Sequence, residues 1–319
     1  MNHGSQITSN SSNTQVISLE EIEQIWKISA SNWLRVEFGK LDLTFRHLTS
    51  LERDQSLIQI VNALLSASPK AGAHRQSDWE SGWGQNLQDL KQSSDESKII
   101  PKYFGKYNLV RWRQEIVAPV HKNLEYQMFG FILDWISDEL LGDFSDIYEF
   151  GAGTGGNLLR FRKRHDATTL WGLDWVRSSQ NIIKLIAERT EDSNIRAVHF
   201  DYFNPDETFL LSDSCAVVTV ASLEQIGSKF EPFLNYLMKN SPRLVVHVEP
   251  IGELLDQNNL MDYLSLEYAK KRDYLLGFLT RLRELESTKK IEIIRAQRSY
   301  MGSFLLDGYS IIVWRPLVS

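Results

Sequence analysis

One stretch constrains this chain more than any other: Tyr148-Glu149-Phe150-Gly151-Ala152-Gly153-Thr154-Gly155-Gly156-Asn157. An apolar, strand-like run enters a turn rich in glycine, and Leu158 and Leu159 then open a helical pattern. Glycine takes left-handed backbone angles without strain and puts no Cβ between the backbone and a ligand. A helix that begins at such a turn offers free N–H groups to whatever binds there.

The surrounding pattern places this joint in an α/β sheet. Short β-branched or apolar runs occupy Asp146–Phe150, Thr169–Asp174, Ile195–Asp201, Cys215–Ala221, Leu244–Glu249, Ile291–Arg298 and Tyr309–Arg315. The segments between the first five are long enough for helical crossovers, which predicts a mostly parallel sheet. The last two runs are joined only by Ser299–Gly308, and so short a connection forces antiparallel pairing. Residues 254–288 are charged and periodic, and read as one or two helices.

Ahead of this pattern, residues 1–17 are polar and read as a flexible tail, and residues 18–140 as a helical region acting as a lid or specificity element. Ser18 and Glu21 have capping-box spacing, and Ile22, Ile25, Trp26 and Trp33 recur at helical intervals. A second helical stretch covers about 41–66, residues 67–99 read as an irregular loop around Trp79 and Trp83, and helix resumes over 108–141.

Bulk composition narrows the function. The net charge is −6, and the densest basic cluster, Arg160, Arg162, Lys163 and Arg164, falls at the end of an expected helix, where cations suit the macrodipole. Nucleic acid is therefore not an expected partner. No apolar run is long enough to cross a bilayer, and the first residues lack a signal-peptide core, so a cytoplasmic location is expected. A single cysteine, Cys215, leaves no disulfide or cysteine-rich metal site within the sequence, and no metal is expected.

The glycine turn alone suits any adenosine-containing ligand. Gly151, Gly153 and Gly156 satisfy the dinucleotide spacing, with Asp174 18 residues further on, near the offset at which an acid holds a ribose. A nicotinamide-dependent oxidoreductase is therefore one reading. Glu149, two residues before the first glycine, suits a ligand with a cationic amino group better than a pyrophosphate. Asp201 ends the third strand, where it can accept from an adenine amine while Tyr202 or Phe203 packs on the ring.

The ordered set of these features resembles the class I S-adenosylmethionine-dependent methyltransferases over about 145–315. Glu149, Gly151, Gly153, Gly155 and Asn157 lie in what looks like their first motif. Asp174, with Trp175, matches their ribose-holding acid, and Asp201, with Tyr202, their adenine position. Leu223 and Glu224 stand after the fourth strand, where the family lines the methionine moiety. The resemblance implies a Rossmann-like, mostly parallel seven-stranded sheet with helices on both faces and a terminal antiparallel hairpin over 141–319. It also implies S-adenosyl-L-methionine as cofactor and a small-molecule or peptide methyl acceptor. The segment Ser222-Leu223-Glu224-Gln225 departs from the N/D-P-P-Y/F pattern of the adenine and glutamine methylating members. Methylation of oxygen on a small metabolite, sugar or peptide is the leading expectation. Nitrogen methylation and a non-catalytic cofactor-binding protein are the alternatives.

For the chemistry, His247 and Glu249 share one side of the fifth strand, with Glu249 at its tip. His247 is either a base or a buried histidine satisfied by a neighbour. His121 is a second candidate base, or a surface histidine. Tyr107, Arg111 and Trp112, near Tyr103 and Arg113, form an aromatic and basic patch suited to a substrate, as does Tyr274 beside Arg272.

Overall fold

Alternation along the strands decides which face each helix covers. The computed structural model describes residues 14–93 and 95–317. Its elements run β1 (Thr14–Val16), α1 (Leu19–Trp26), α2 (Asn32–Phe38), β2 (Thr44–His47), α3 (Ser50–Leu65), α4 (Gln76–Gln92), β3 (Val110–Trp112), β4 (Glu115–Pro119), α5 (Leu124–Leu140), β5 (Asp146–Phe150), α6 (Gly156–Arg162), β6 (Thr169–Asp174), α7 (Arg177–Arg189), β7 (Ile195–His199), β8 (Cys215–Val220), α8 (Glu231–Asn240), β9 (Leu244–Glu249), α9 (Leu260–Arg272), α10 (Phe278–Ser287), β10 (Ile291–Gln297), β11 (Met301–Ser303) and β12 (Ser310–Pro316).

Seven strands form one sheet in the order β10-β12-β9-β8-β5-β6-β7. Strands β5 to β9 are mutually parallel, and β12 runs antiparallel to both β9 and β10. Ile147, Val218, Val246 and Val313 turn toward α5, α6 and α7 in one core, whereas Tyr148, Val217, Val245 and Trp314 turn toward α8 and α10 in the other. The period of two thus gives a sheet buried on both faces. The strand order reverses between β5 and β8, and that switch point opens at the carboxyl ends of the strands, where such sheets bind ligands.

The region before residue 141 holds more than helices. A second, antiparallel sheet of order β1-β2-β4-β3-β11 draws four strands from it and the fifth, β11, from between β10 and β12. The helical stretches expected at 41–66 and 108–141 each begin with strand instead, and 67–99 contains the long helix α4 rather than an irregular loop. Strands of three to five residues are too short to show a period, which is why they escape a sequence reading. Of the expected tail, residues 1–13 lie outside the described residues, Thr14–Val16 pair with β2, and Ile17 is buried. Ser18 caps α1 by accepting from the Glu21 N–H at 3.1 Å, while the Glu21 carboxylate pairs with Arg113 at 2.6 Å. Within the described residues no helix is long and apolar enough to cross a membrane.

A buried ion network joins the two sheets. Arg298, just after β10, donates to Asp262 of α9 at 2.6 and 2.8 Å and to Asp307 at 2.6 Å, and all three are under 8% exposed. Arg111 of β3 is buried beside them, donating to the carbonyls of Met261, Phe304 and Leu305. Removing one member strands the others in low dielectric. Arg298→Met is expected to cost about 3–5 kcal/mol of unfolding free energy in a urea titration. A loss below about 1 kcal/mol, the range of an exposed ion pair, would show that the network is solvated.

Candidate functional site

The glycine turn works as the sequence suggests: Gly151, Gly153 and Gly155 all have positive φ, and Gly155 starts α6. At Gly153 a side chain would be strained by φ +54° and would also press on the Trp83 ring at 3.0 Å. Trp83 and Trp79 come from α4, which therefore roofs the turn.

Charges at both ends of α4 clamp it in place. The Glu80 carboxylate accepts from the N–H groups of Arg177 at 2.7 Å and Ser178 at 3.1 Å, capping the first turn of α7. Arg189 at the far end of α7 donates to the Leu90 and Ser93 carbonyls at 2.7 and 2.9 Å, closing the carboxyl end of α4. An anion at a helix start and a cation at a helix end both match the macrodipole.

Two adjoining cavities open here. The larger, about 270 Å³, lies between the turn, α4, the start of α5 and the 303–309 segment. Of the residues singled out by sequence, it takes Gly151, Gly153, Asn157, Glu224, Tyr107 and Tyr274 into its wall. The smaller, about 60 Å³, is lined by Gly151, Asp174, Trp175 and Tyr202, together with Phe203 and Ser222. It is the flatter, more aromatic of the two: Trp175 and Phe203 lie 5.7 Å apart, and the Tyr202 hydroxyl meets Ser222 Oγ at 3.0 Å.

The carboxylates are unevenly satisfied. Asp174 accepts from the N–H groups of Gly153 at 2.9 Å and Val176 at 3.1 Å, tying the turn to the end of β6. Burial pushes it up to about 6 against the pull of those donors. Glu149 lies under the turn, 1% exposed. Its Oε1 accepts from Asn157 Nδ2 at 2.6 Å, and its Oε2 is buried with no partner among the described residues. Burial pushes Glu149 up to about 8, which Asn157 offsets only in part. Such a stranded oxygen is what a cationic group would satisfy.

Several candidates are corrected. His247 is fully buried against Phe278 and faces neither cavity. Its Nε2 accepts from Trp314 Nε1 at 2.9 Å, so its Nδ1–H donates to Thr219 Oγ1 at 2.8 Å. Burial pulls it down to about 3, leaving a neutral structural imidazole. Glu249 is also buried and accepts from the N–H groups of Ser222, Leu223 and Glu224 at 3.1–3.4 Å. It positions the turn at 222–226 rather than touching a ligand. His121 is on the surface, paired with Asp42 at 3.0 Å. Asp201 turns both oxygens to its own loop, accepting from the Phe203 N–H at 2.8 Å and Asn204 Nδ2 at 3.2 Å. Leu223 is core, Trp112 is buried in the second sheet, and Arg111 belongs to the ion network. Gly155 faces α7 through Ile183 and lines neither cavity.

The structure also supplies residues that the sequence did not flag. Glu125 of α5 is 8% exposed, lines the larger cavity and accepts from the Tyr309 hydroxyl at 2.8 Å. Burial pushes it up to about 7, and Glu224 up to about 8 with Glu249 adding to the rise. Tyr126, Tyr309, Tyr268 and Gln225 complete the wall with Tyr103. No motif marks Glu125, because one acid in an amphipathic helix resembles any solvated charge.

These raised carboxyls set a sign for stability. A folded-state value above the ordinary 4.5 makes Glu149 a group whose contribution is full below pH 4.5 and is lost as pH rises through about 8. The ligand-free protein is therefore expected to melt at lower temperature at pH 8 than at pH 6, and Glu149→Gln to show a shallower fall in a thermal-shift series. An equal fall in both proteins would place the proton elsewhere.

No protein-family model matches the sequence, and no curated protein matches it either. Solved structures do share the fold. The (4+2)-cyclase SpnF is 14% identical at a TM-score of 0.51, covering 80% of this chain and 100% of its own. An O-methyltransferase of neocarzinostatin biosynthesis, solved with S-adenosyl-L-homocysteine and 1,4-dihydroxy-2-naphthoic acid, is 14% identical at 0.44, covering 83% and 70%. The magnesium protoporphyrin IX methyltransferase of Synechocystis PCC 6803, with bound S-adenosylhomocysteine, is 13% identical at 0.43, covering 60% and 83%. By its strand order, with the reversed β12 inserted between β9 and β10, this chain has the fold of the class I S-adenosylmethionine-dependent methyltransferases.

Proposed function

We propose that this protein transfers a methyl group from S-adenosylmethionine to a small molecule. The observation that carries the reading is the unpartnered, buried oxygen of Glu149 beneath the glycine turn. Glu149 lines neither cavity, but Asn157, which holds its other oxygen, lines the larger, and a methionine ammonium seated beside Asn157 would satisfy it. A pyrophosphate would meet it as a like charge, and Lys106, at the rim, is the one cation among the described residues lining the two cavities. That disfavours the nicotinamide reading.

The remaining parts fit the same ligand. Asp174 has lone pairs left beyond those that Gly153 and Val176 use, enough for two ribose hydroxyls. Trp175, Tyr202 and Phe203 offer apolar walls to an adenine. The cofactor supplies a methyl carbon on a cationic sulfur, open to in-line displacement. The chain's own contribution is placement: Trp79 and Trp83 roof the turn against water, and the larger cavity holds the acceptor. Holding two reactants in line contributes roughly 7–11 kcal/mol at best. A cavity of about 270 Å³ with aromatic walls suits a small acceptor rather than a folded macromolecule.

Fold alone does not settle the reaction, since a cyclase shares it. Two measurements test the reading. By calorimetry, S-adenosylhomocysteine is expected to bind and NAD not to, and Asp174→Asn to lose about 2–3 kcal/mol, roughly 30- to 150-fold in affinity. Methyl-labelled S-adenosylmethionine is expected to give label in a small-molecule extract. NAD binding in its place would overturn the proposal, and cofactor binding without turnover on any extract would favour a non-catalytic protein.

A further inference from the structure

Two glutamates of the larger cavity leave oxygens unmet, in a wall that also carries Lys106, the buried Trp79 Nε1–H and several tyrosine hydroxyls. Glu125 uses one oxygen for the Tyr309 hydroxyl, and its other oxygen has no partner among the described residues. Glu224 uses one oxygen for Gln225 Nε2 at 2.7 Å, and Gln225 Oε1 is buried without a hydrogen-bond partner among the described residues. Both glutamates and Gln225 line the same space. The unmet atoms of these three residues are all acceptors. Neither Glu125 nor Glu224 forms an ion pair among the described residues. Arg272 lies 4.9 Å from the Tyr274 ring centre and tempers Glu224 from behind, while nothing comparable stands near Glu125.

The rest of the wall is built for a cation as well. Phe129 packs 5.3 Å from Tyr309, Tyr268 packs 6.4 Å from Tyr274, and all four rings line the same cavity as the two glutamates. Aromatic faces attract cations, and burial strengthens the attraction. An alcohol would answer one of the unmet oxygens, and a carboxylate would bring no donor at all. An ammonium ion brings up to three donors.

We infer that the methyl acceptor is an amine, which enters as an ammonium ion and is held between Glu125 and Glu224 against the aromatic wall. This rests on the methyltransferase reading and replaces the expectation of an oxygen acceptor. Glu125 has the further task of taking one proton from R–NH3⁺, giving R–NH2 and the neutral acid, with no other bond changed. That leaves the nitrogen lone pair free. Tyr309, which donates to the other oxygen of Glu125, fixes its orientation.

The test uses the full chain saturated with S-adenosylhomocysteine and ligands matched in shape: phenethylamine, 2-phenylethanol and 3-phenylpropionate, with methylamine as a minimal cation. Tryptophan fluorescence or calorimetry reads binding. Phenethylamine is expected to bind at least about tenfold tighter than the neutral and anionic analogues, as a charge-assisted contact requires. Glu125→Gln is expected to reduce that preference to about threefold or less while S-adenosylhomocysteine affinity holds, and Glu224→Gln, beside the expected methionine position, to reduce it likewise in protein kept saturated with S-adenosylhomocysteine. Equal binding of all three classes, tighter binding of the acid, or a preference that survives both substitutions would overturn the inference. Failure of the wild-type chain to bind S-adenosylhomocysteine would instead sink the methyltransferase reading, and the amine series, repeated without it, would still be read on its own.

Discussion

A carboxylate sealed under the glycine turn with one oxygen unanswered is the constraint around which this molecule is arranged. Strand β5 is central in its sheet, so the side chain of Glu149 cannot swing out to water. Burying a charge without a partner is unfavourable by several kcal/mol, and a protein keeps such a group only where something else requires it. Burial holds Glu149, Glu224 and Glu125 all well above the ordinary carboxyl range. Under the proposed function, a cationic ligand offsets that cost.

Residues beneath and beside the two cavities fix that geometry. Glu249 gathers three backbone N–H groups and so sets the turn that presents Glu224 and Gln225. Asp174 ties the glycine turn to the neighbouring strand while keeping a face on the smaller cavity. Ala221, at the head of the same turn as Glu224, holds a left-handed φ of +47° between the two cavities. Strain of that kind in a non-glycine residue persists where surrounding contacts impose it, and it clusters at functional sites.

Much of the seven-stranded sheet was legible because its strands are long enough to show a period and its turn has a composition that few other structures need. Gly151, Gly153, Asn157, Asp174, Trp175 and Tyr202, expected from the sequence near a cofactor, do line the two cavities, and Glu149 is bonded to Asn157 behind them. The expected catalytic residues line neither cavity. His247 and Glu249 sit at the ligand end of β9, yet both turn toward α8 and α10, and strand parity alone does not tell which face holds the opening. Arg111 reads as a substrate clamp in sequence, but its partners are carbonyls more than 100 residues away. Glu125 and Tyr309 meet across 184 residues, a pairing that no local pattern encodes.

Strand β11 has the widest reach of any small element here. It leaves the seven-stranded sheet after β10, pairs with β3 in the other sheet, and returns as β12, with the Leu305–Tyr309 wall of the cleft hung between. Gly302 permits this doubling back, because a Cβ there would collide with the Leu306 carbonyl. The two sheets are therefore stitched by one thread that passes through the acceptor wall itself. A hinge between them would have to break the β11–β3 pairing on which that wall hangs.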